Sequence, residues 1–228
     1  MNQEKIWEAY QNDDDLLDVG FPAQKRFEFL AKKVLSGKRV LNIGVGKGYL
    51  EKLLIDKEVD VYCLDPSRQT IDSISKRLNL GDKAKTGYSQ DIPFPESFFD
   101  YVIMSEVLEH LSDRILEATL REVKRILVPG GEFLGTVPAD ENLKLSIVVC
   151  PDCGKRFHRW GHEQAFTKDR LEQLLSNLFY QVTVQRKYFF EWGKTNWKGK
   201  CVGLYKWIQA ALDIKGASQN FFFEAIKK

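Results

Sequence analysis

The chain has 228 residues, 43% hydrophobic and 29% charged, with 34 Lys and Arg against 32 Asp and Glu. That is enough for one domain with a buried core, and too apolar for wholesale disorder. A net charge of +2 gives no clear nucleic-acid signal, and the apolar runs fall far short of a membrane span. The polar, acidic start from Met1 to Asp18 lacks the basic opening and apolar stretch of a signal peptide, so a cytoplasmic location is expected.

In chain order, Ile6 to Leu17 and Ala23 to Leu35 read as helices; in the second, Phe27, Leu30, Ala31 and Val34 recur at helical spacing. Arg39 to Ile43 is a short apolar strand, followed by a glycine-rich turn and a helix from Tyr49 to Ile55. Val59 to Leu64 is a second strand, and Ser67 caps a helix to about Leu78. Ala84 to Ser89 is a weak third strand and Tyr101 to Ser105 a fourth. A helix from Leu116 to Leu127 is stopped by Pro129-Gly130-Gly131, before a fifth strand from Glu132 to Val137. Thr167 caps a helix to Leu178. Tyr180 to Gln185 is a sixth strand, Cys201 to Leu212 an apolar helix and Asn220 to Ile226 a terminal strand. Strands apolar on both faces, alternating with helices, predict a doubly wound α/β fold with a parallel sheet. No repeat or linker divides the chain.

The first strand runs into Asn42-Ile43-Gly44-Val45-Gly46-Lys47-Gly48. Such glycines let a loop curl tightly and bring backbone against a ligand, and the next helix begins with unpaired N–H groups. A dinucleotide fingerprint would need a glycine where Tyr49 stands, and a P-loop would need Ser or Thr where Gly48 stands. Asp65 ends the second strand, and in a doubly wound sheet its carboxylate lies beside the glycine loop, where it can accept from ribose hydroxyls. The plainer alternative is a helix-capping Asp in Asp65-Pro66-Ser67.

The glycine loop, the acid after the second strand, Asp91-Ile92-Pro93-Phe94, the run from Phe99 to Leu111 and Leu127-Val128-Pro129-Gly130-Gly131 together resemble the class I S-adenosylmethionine-dependent methyltransferases. The resemblance spans about Lys38 to Val137. It implies a Rossmann-like, mostly parallel seven-stranded sheet with the last strand antiparallel, preceded by N-terminal helices. It also implies that Gly44, Gly46 and Gly48 line the methionine and ribose of S-adenosylmethionine. Asp65, with the adjoining Pro66, would hold the ribose hydroxyls. Asp91 would accept from the adenine amino group with Ile92 packed nearby, and Ser105 would sit under the methionine part. The family usually carries Asp or Glu where this chain has Asn42, so a charge facing the cofactor's ammonium is missing. Lower affinity, or compensation by a water or another acid, is implied.

Methyl transfer from a sulfonium is an in-line displacement, so alignment of the reacting atoms is the protein's main task and can lower the barrier by roughly 7–11 kcal/mol. A base is needed only for an acceptor that keeps its proton. His110 follows Glu106 and Glu109 at the rim of the fourth strand. It is either a general base or a residue that shapes the loop.

Four of the chain's seven Cys and His residues lie between Cys150 and His162, where even scattering would place about 0.4. Cys150-x2-Cys153-x4-His158-x3-His162 carries four ligands suited to tetrahedral zinc, so a structural zinc knot is expected. The alternatives are a redox pair or two surface histidines. The knot would order a lid carrying Lys155, Arg156, Phe157, Arg159 and Trp160. Between Arg186 and Lys206 six basic residues face one acidic residue, interleaved with Trp192, Trp197 and Tyr205. This is a solvated face over packed aromatics, with an anionic or ring-bearing substrate, a nucleic acid or a membrane surface as alternatives. The apolar surface from Cys201 to Leu212 is expected in the core, with a dimer contact or substrate wall as alternatives.

The expected organisation is one domain: a helical cap over 1–37, a cofactor half over 38–138, a zinc-binding insertion over 139–165 and a substrate half over 166–228. The expected function is methyl transfer from S-adenosylmethionine to a small-molecule acceptor, by a monomer or homodimer. A non-catalytic, zinc-stabilised cofactor-binding protein and an RNA or protein methyltransferase are the alternatives.

Overall fold

The computed structural model describes residues 24–228, so the helix expected over Ile6 to Leu17 lies outside the described residues. Helix α1 (Gln24–Lys33) leads into β1 (Arg39–Ile43), α2 (Tyr49–Ile55), β2 (Asp60–Asp65), α3 (Arg68–Leu78) and β3 (Ala84–Thr86). Then come β4 (Phe99–Ser105), a 3₁₀ turn (Leu108–His110), α4 (Asp113–Ile126) and β5 (Leu127–Pro138). A short pair, β6 (Ile147–Val149) and β7 (Arg156–His158), precedes α5 (Lys168–Ser176), β8 (Gln181–Lys187), α6 (Trp197–Ala211) and β9 (Asn220–Ile226).

The main sheet has the order β3-β2-β1-β4-β5-β9-β8. The pairs among β1 to β5 are parallel, while β9 runs antiparallel to both of its neighbours. The seven-stranded, mostly parallel sheet is therefore the one expected. Its strand order reverses between β1 and β4, the switch point where doubly wound sheets bind ligands.

Both faces are covered, which is why the strands are apolar throughout. One face packs Leu41, Val102 and Phe133 beneath α4 and α5; the other packs Val40, Ile103 and Phe222 beneath α1, α2 and α3. Leu116, Leu120, Val123 and Ile126 supply the apolar stripe of α4 at helical spacing. Ser67 accepts from the Thr70 N–H and Thr167 from the Arg170 N–H, so both expected caps are present.

Three local expectations change. Pro129-Gly130-Gly131 does not separate helix from strand but lies inside β5, which bulges where its pairing with β4 shifts register. Strand β3 stops at Thr86. Helix α6 docks through Gly203, where a Cβ would meet the Phe190 ring. Its large apolar side chains, including Trp197, Val202, Tyr205 and Trp207, and the Leu212 that follows it, stand exposed rather than in the core.

The segment 139–165 is a closed excursion from the main sheet. Ala139 bridges Phe166, and the Asp140 N–H donates to the Phe166 carbonyl at 2.9 Å. Within it, β6 and β7 form an antiparallel ribbon pairing Ile147 with His158. No described helix is long and apolar enough to cross a membrane.

Candidate functional site

The ends of β1, β2 and β4 bring the glycine loop, Asp65 and Ser105 to one edge of the sheet. Gly44, Gly46 and Gly48 have φ of 84°, 54° and 73°, a left-handed path that side chains with a Cβ rarely follow. At Gly44 a Cβ would also come within 2.5 Å of Val107. The loop is braced by the chain itself: the Gly44 N–H donates to the Leu64 carbonyl at 3.0 Å, and an Arg77 guanidinium N–H donates to the Lys47 carbonyl.

Asp65 is 2% exposed. Its Oδ2 accepts from the Val45 N–H at 3.1 Å and its Oδ1 from the Ser67 N–H at 2.9 Å. One carboxylate thus pins the glycine loop and caps the next turn, so the two readings of this residue coincide. A carboxylate can accept about four hydrogen bonds, which leaves the expected ribose role compatible with these two. Pro66 and Asp91 are exposed, while Ile92 is buried in the core. The 91–94 turn is held from α4: Glu122 accepts from the Ile92 N–H at 2.9 Å, and Arg125 donates to the Ile92 and Phe94 carbonyls at 2.9 and 3.0 Å. Ser105 Oγ accepts from Arg26 Nε at 3.0 Å and pairs with Thr136 Oγ1 at 2.9 Å.

Asn42 is buried, and its amide N–H donates to Glu51 Oε1 at 2.6 Å. Glu51, on α2, is fully buried. Burial pushes its carboxyl up to about 7, partly opposed by the Asn42 hydrogen bond. Asn42 Oδ1 and Glu51 Oε2 are buried without a hydrogen-bond partner. The acid missing from β1 therefore stands one hydrogen bond away, three residues beyond Gly48. The orphaned oxygens and the glycine cradle fit an ammonium-bearing, adenosine-sized cofactor.

Beyond β4 the three described histidines gather. The His110 and His162 rings lie 4.7 Å apart edge to face, and the His158 and His162 rings stack at 4.6 Å. His162 Nδ1 lies 2.5 Å from Glu141 Oε2, and His158 Nε2 lies 3.5 Å from Glu141 Oε1. His110 Nδ1 faces the Gly161 carbonyl at 3.3 Å. Glu109, 1% exposed, has both carboxylate oxygens buried without a hydrogen-bond partner. Burial, reinforced by Glu106, holds its carboxyl well above the usual range. The Glu109 carbonyl accepts from the Glu163 and Gln164 N–H groups at 2.7 and 2.9 Å, fastening the excursion to the rim of β4.

Two expectations concern these residues. Burial and the neighbouring His162 lower the His110 imidazole to about 3, a direction that favours the loop-shaping reading of this residue over the general base. The Cys150, Cys153, His158, His162 set is not brought together. Cys150 and Cys153 sit at the ribbon tip, where the Cys150 N–H donates to the Lys155 carbonyl at 2.9 Å and the Cys150 carbonyl accepts from Gly154 N–H at 2.9 Å. Cys150 follows Val149, the last residue of β6, three positions along the chain from the Ile147 that pairs with His158. Glu51, Glu109 and Glu141 were invisible as site residues, because only the fold brings them to their partners.

A methyltransferase-domain family model matches residues 18–183, nearly three-quarters of the chain. A fatty-acid O-methyltransferase of Mycolicibacterium smegmatis is 37% identical over 111 residues, 46% of this chain and 39% of that protein. A tRNA U34 carboxymethyltransferase of Campylobacter curvus is 33% identical over 138 residues, 58% of this chain and 45% of that protein. The chain thus aligns with less than half the length of either. Among solved structures, the N-methyltransferase NodS of Bradyrhizobium japonicum in complex with S-adenosyl-L-homocysteine superposes with a TM-score of 0.65 at 15% identity, over 100% of this chain and 99% of that one. At that identity the likeness is one of fold.

Proposed function

The chain belongs to the S-adenosylmethionine-dependent methyltransferases, and from that premise we propose that it methylates a small-molecule acceptor held between the glycine loop and the 139–165 excursion. The observation that carries this reading is the double hydrogen bond from Glu163 and Gln164 to the Glu109 carbonyl. It sets the excursion against the rim of β4, two residues beyond Val107, which packs against Gly44 of the glycine loop.

When bound, the cofactor supplies an activated methyl on a sulfonium. In this reading the backbone of Gly44, Gly46 and Gly48 lets it lie close. Asp65 orients its ribose hydroxyls, Asp91 and Ile92 border the adenine, Ser105 supports the methionine part, and Asn42 with Glu51 faces the ammonium. Pro66 shapes the turn beside Asp65. Glu51 would supply the compensating acid that Asn42 on β1 calls for.

The test is transfer of labelled methyl from S-adenosylmethionine by the purified full chain, with a fractionated small-molecule extract, total tRNA and soluble protein as parallel acceptor pools. Label in the small-molecule fraction is expected. Label confined to tRNA or protein overturns the choice of acceptor class.

A further inference from the structure

We propose that Glu109, His110 and His162 form a binding site for one divalent metal ion of the borderline class, such as zinc, cobalt or iron(II), distinct from the cysteines at the ribbon tip.

One carboxylate oxygen of Glu109 and one ring nitrogen each of His110 and His162 lie within 4.8 Å of one another. The proton positions follow from the neighbours. His110 Nδ1 faces the Gly161 carbonyl at 3.3 Å, and His162 Nδ1 faces a Glu141 oxygen at 2.5 Å. Carbonyl and carboxylate oxygens accept only, so each ring carries its proton on Nδ1 and its lone pair on Nε2. A metal-ligating histidine is usually held in this way, by a backbone carbonyl or carboxylate on its other nitrogen. Glu109 supplies the second observation. Both its oxygens are buried without a hydrogen-bond partner, and a cation is a partner that such a carboxylate requires.

A second triad, Glu141, His158 and His162, is equally compact, but its protons are wrongly placed. His158 Nδ1 accepts from the His162 backbone N–H at 3.1 Å, so the proton of a neutral His158 sits on the Nε2 that faces Glu141. His162 likewise turns a protonated nitrogen toward that carboxylate. Glu141 therefore serves as the acceptor that orients His162, and the triad of Glu109, His110 and His162 is the one assigned to the metal.

Two imidazoles and one carboxylate suit zinc, iron(II), cobalt or manganese better than magnesium or calcium. Three protein ligands leave a coordination position for water or for an oxygen of an acceptor. That last use rests on the small-molecule reading above; metal binding itself does not.

The probe is cobalt(II), added to chelator-treated full-length protein and followed by visible absorption and by calorimetry, with zinc as a competitor. One saturable equivalent is expected, with the d–d bands of a nitrogen- and oxygen-ligated ion and no sulfur-to-cobalt charge-transfer band. Glu109→Gln and His162→Ala should each weaken binding at least tenfold, while Cys150→Ser with Cys153→Ser leaves it unchanged. Glu109→Gln should raise the thermal midpoint of the metal-free protein, since it removes an unpartnered buried carboxylate. Stabilised apo-protein with weakened metal binding separates loss of a ligand from loss of the fold. Absence of saturable binding overturns the proposal. So does binding that survives both Glu109→Gln and His162→Ala, or that disappears in the cysteine double variant.

Discussion

Glu51 is a carboxyl with no route to water. Its folded-state pKa of about 7 lies above the ordinary value of 4.5, so between these values the native state keeps a proton that the unfolded chain has lost. Stability is therefore full below about pH 4.5 and falls as the pH rises toward 7. Glu51→Gln should abolish this fall and leave the protein more stable at pH 8 by on the order of 3 kcal/mol, read from urea unfolding at pH 5 and pH 8. A bound ammonium would draw the carboxyl down again. Cofactor affinity measured by calorimetry should therefore be higher at pH 8 than at pH 6 in the parent, with a flattened profile in the variant. Asp65 behaves differently, since its carboxylate already pins the Val45 and Ser67 N–H groups. Asp65→Ala should weaken S-adenosylmethionine binding by roughly 1.5–3 kcal/mol through lost charge-assisted hydrogen bonds; unchanged affinity in the same titration would remove that carboxylate from the site.

The elements most legible in the sequence were those whose local pattern and tertiary role agree. Arg39–Ile43, Tyr49–Ile55 and Asn220–Ile226 match their expected bounds because each is a compact apolar unit between polar or glycine-rich breaks. Pro129-Gly130-Gly131 misled because a stop signal and a bulge draw on the same residues, and only pairing with β4 distinguishes them. In α6, composition suggested burial, but the helix approaches Phe190 through Gly203 and turns its larger residues outward. Glycine also sets a close approach between strands. Gly135 of β5 lies opposite Phe223 of β9, and a Cβ there would come within 2.2 Å of the Met104 carbonyl oxygen and 2.3 Å of the Phe223 ring. Gly135→Ala should destabilise the protein by about 3 kcal/mol through overpacking, checked by denaturant midpoint. A shift of less than a few tenths would show that the β5–β9 contact yields.

Across the whole molecule, the glycine loop and Asp65 were legible in one contiguous stretch, and the mostly parallel seven-stranded sheet followed from the family resemblance those motifs carry. The histidine cluster did not. His110, His158 and His162 meet only because the chain leaves the sheet at Ala139 and returns at Phe166, and spacing within a segment carries no record of such an encounter. The last strand is similarly global. β9 lies between β5 and β8, with Phe221, Phe222, Phe223 and Ala225 fully buried. Burying one such aromatic contributes about 1.5–3 kcal/mol, so three approach the total stability of about 5–15 kcal/mol typical of a domain. A chain ending at residue 219 should lose cooperative unfolding and dispersed amide resonances; a sharp thermal transition in that truncation would refute the central role given to β9.

The bond that docks the excursion is made by peptide groups alone: one carbonyl at Glu109 receiving two amides at Glu163 and Gln164. Peptide groups are the same whatever side chains they carry. A transplanted loop would seat at the same rim if it kept that exit and return together with the Gln164 side chain, whose Nε2 donates to the Leu111 carbonyl at 3.1 Å and to Asp113 Oδ1 at 2.9 Å. On the proposed division of labour, the segment facing the acceptor is exchangeable like a cartridge, while the glycine-loop half stays untouched.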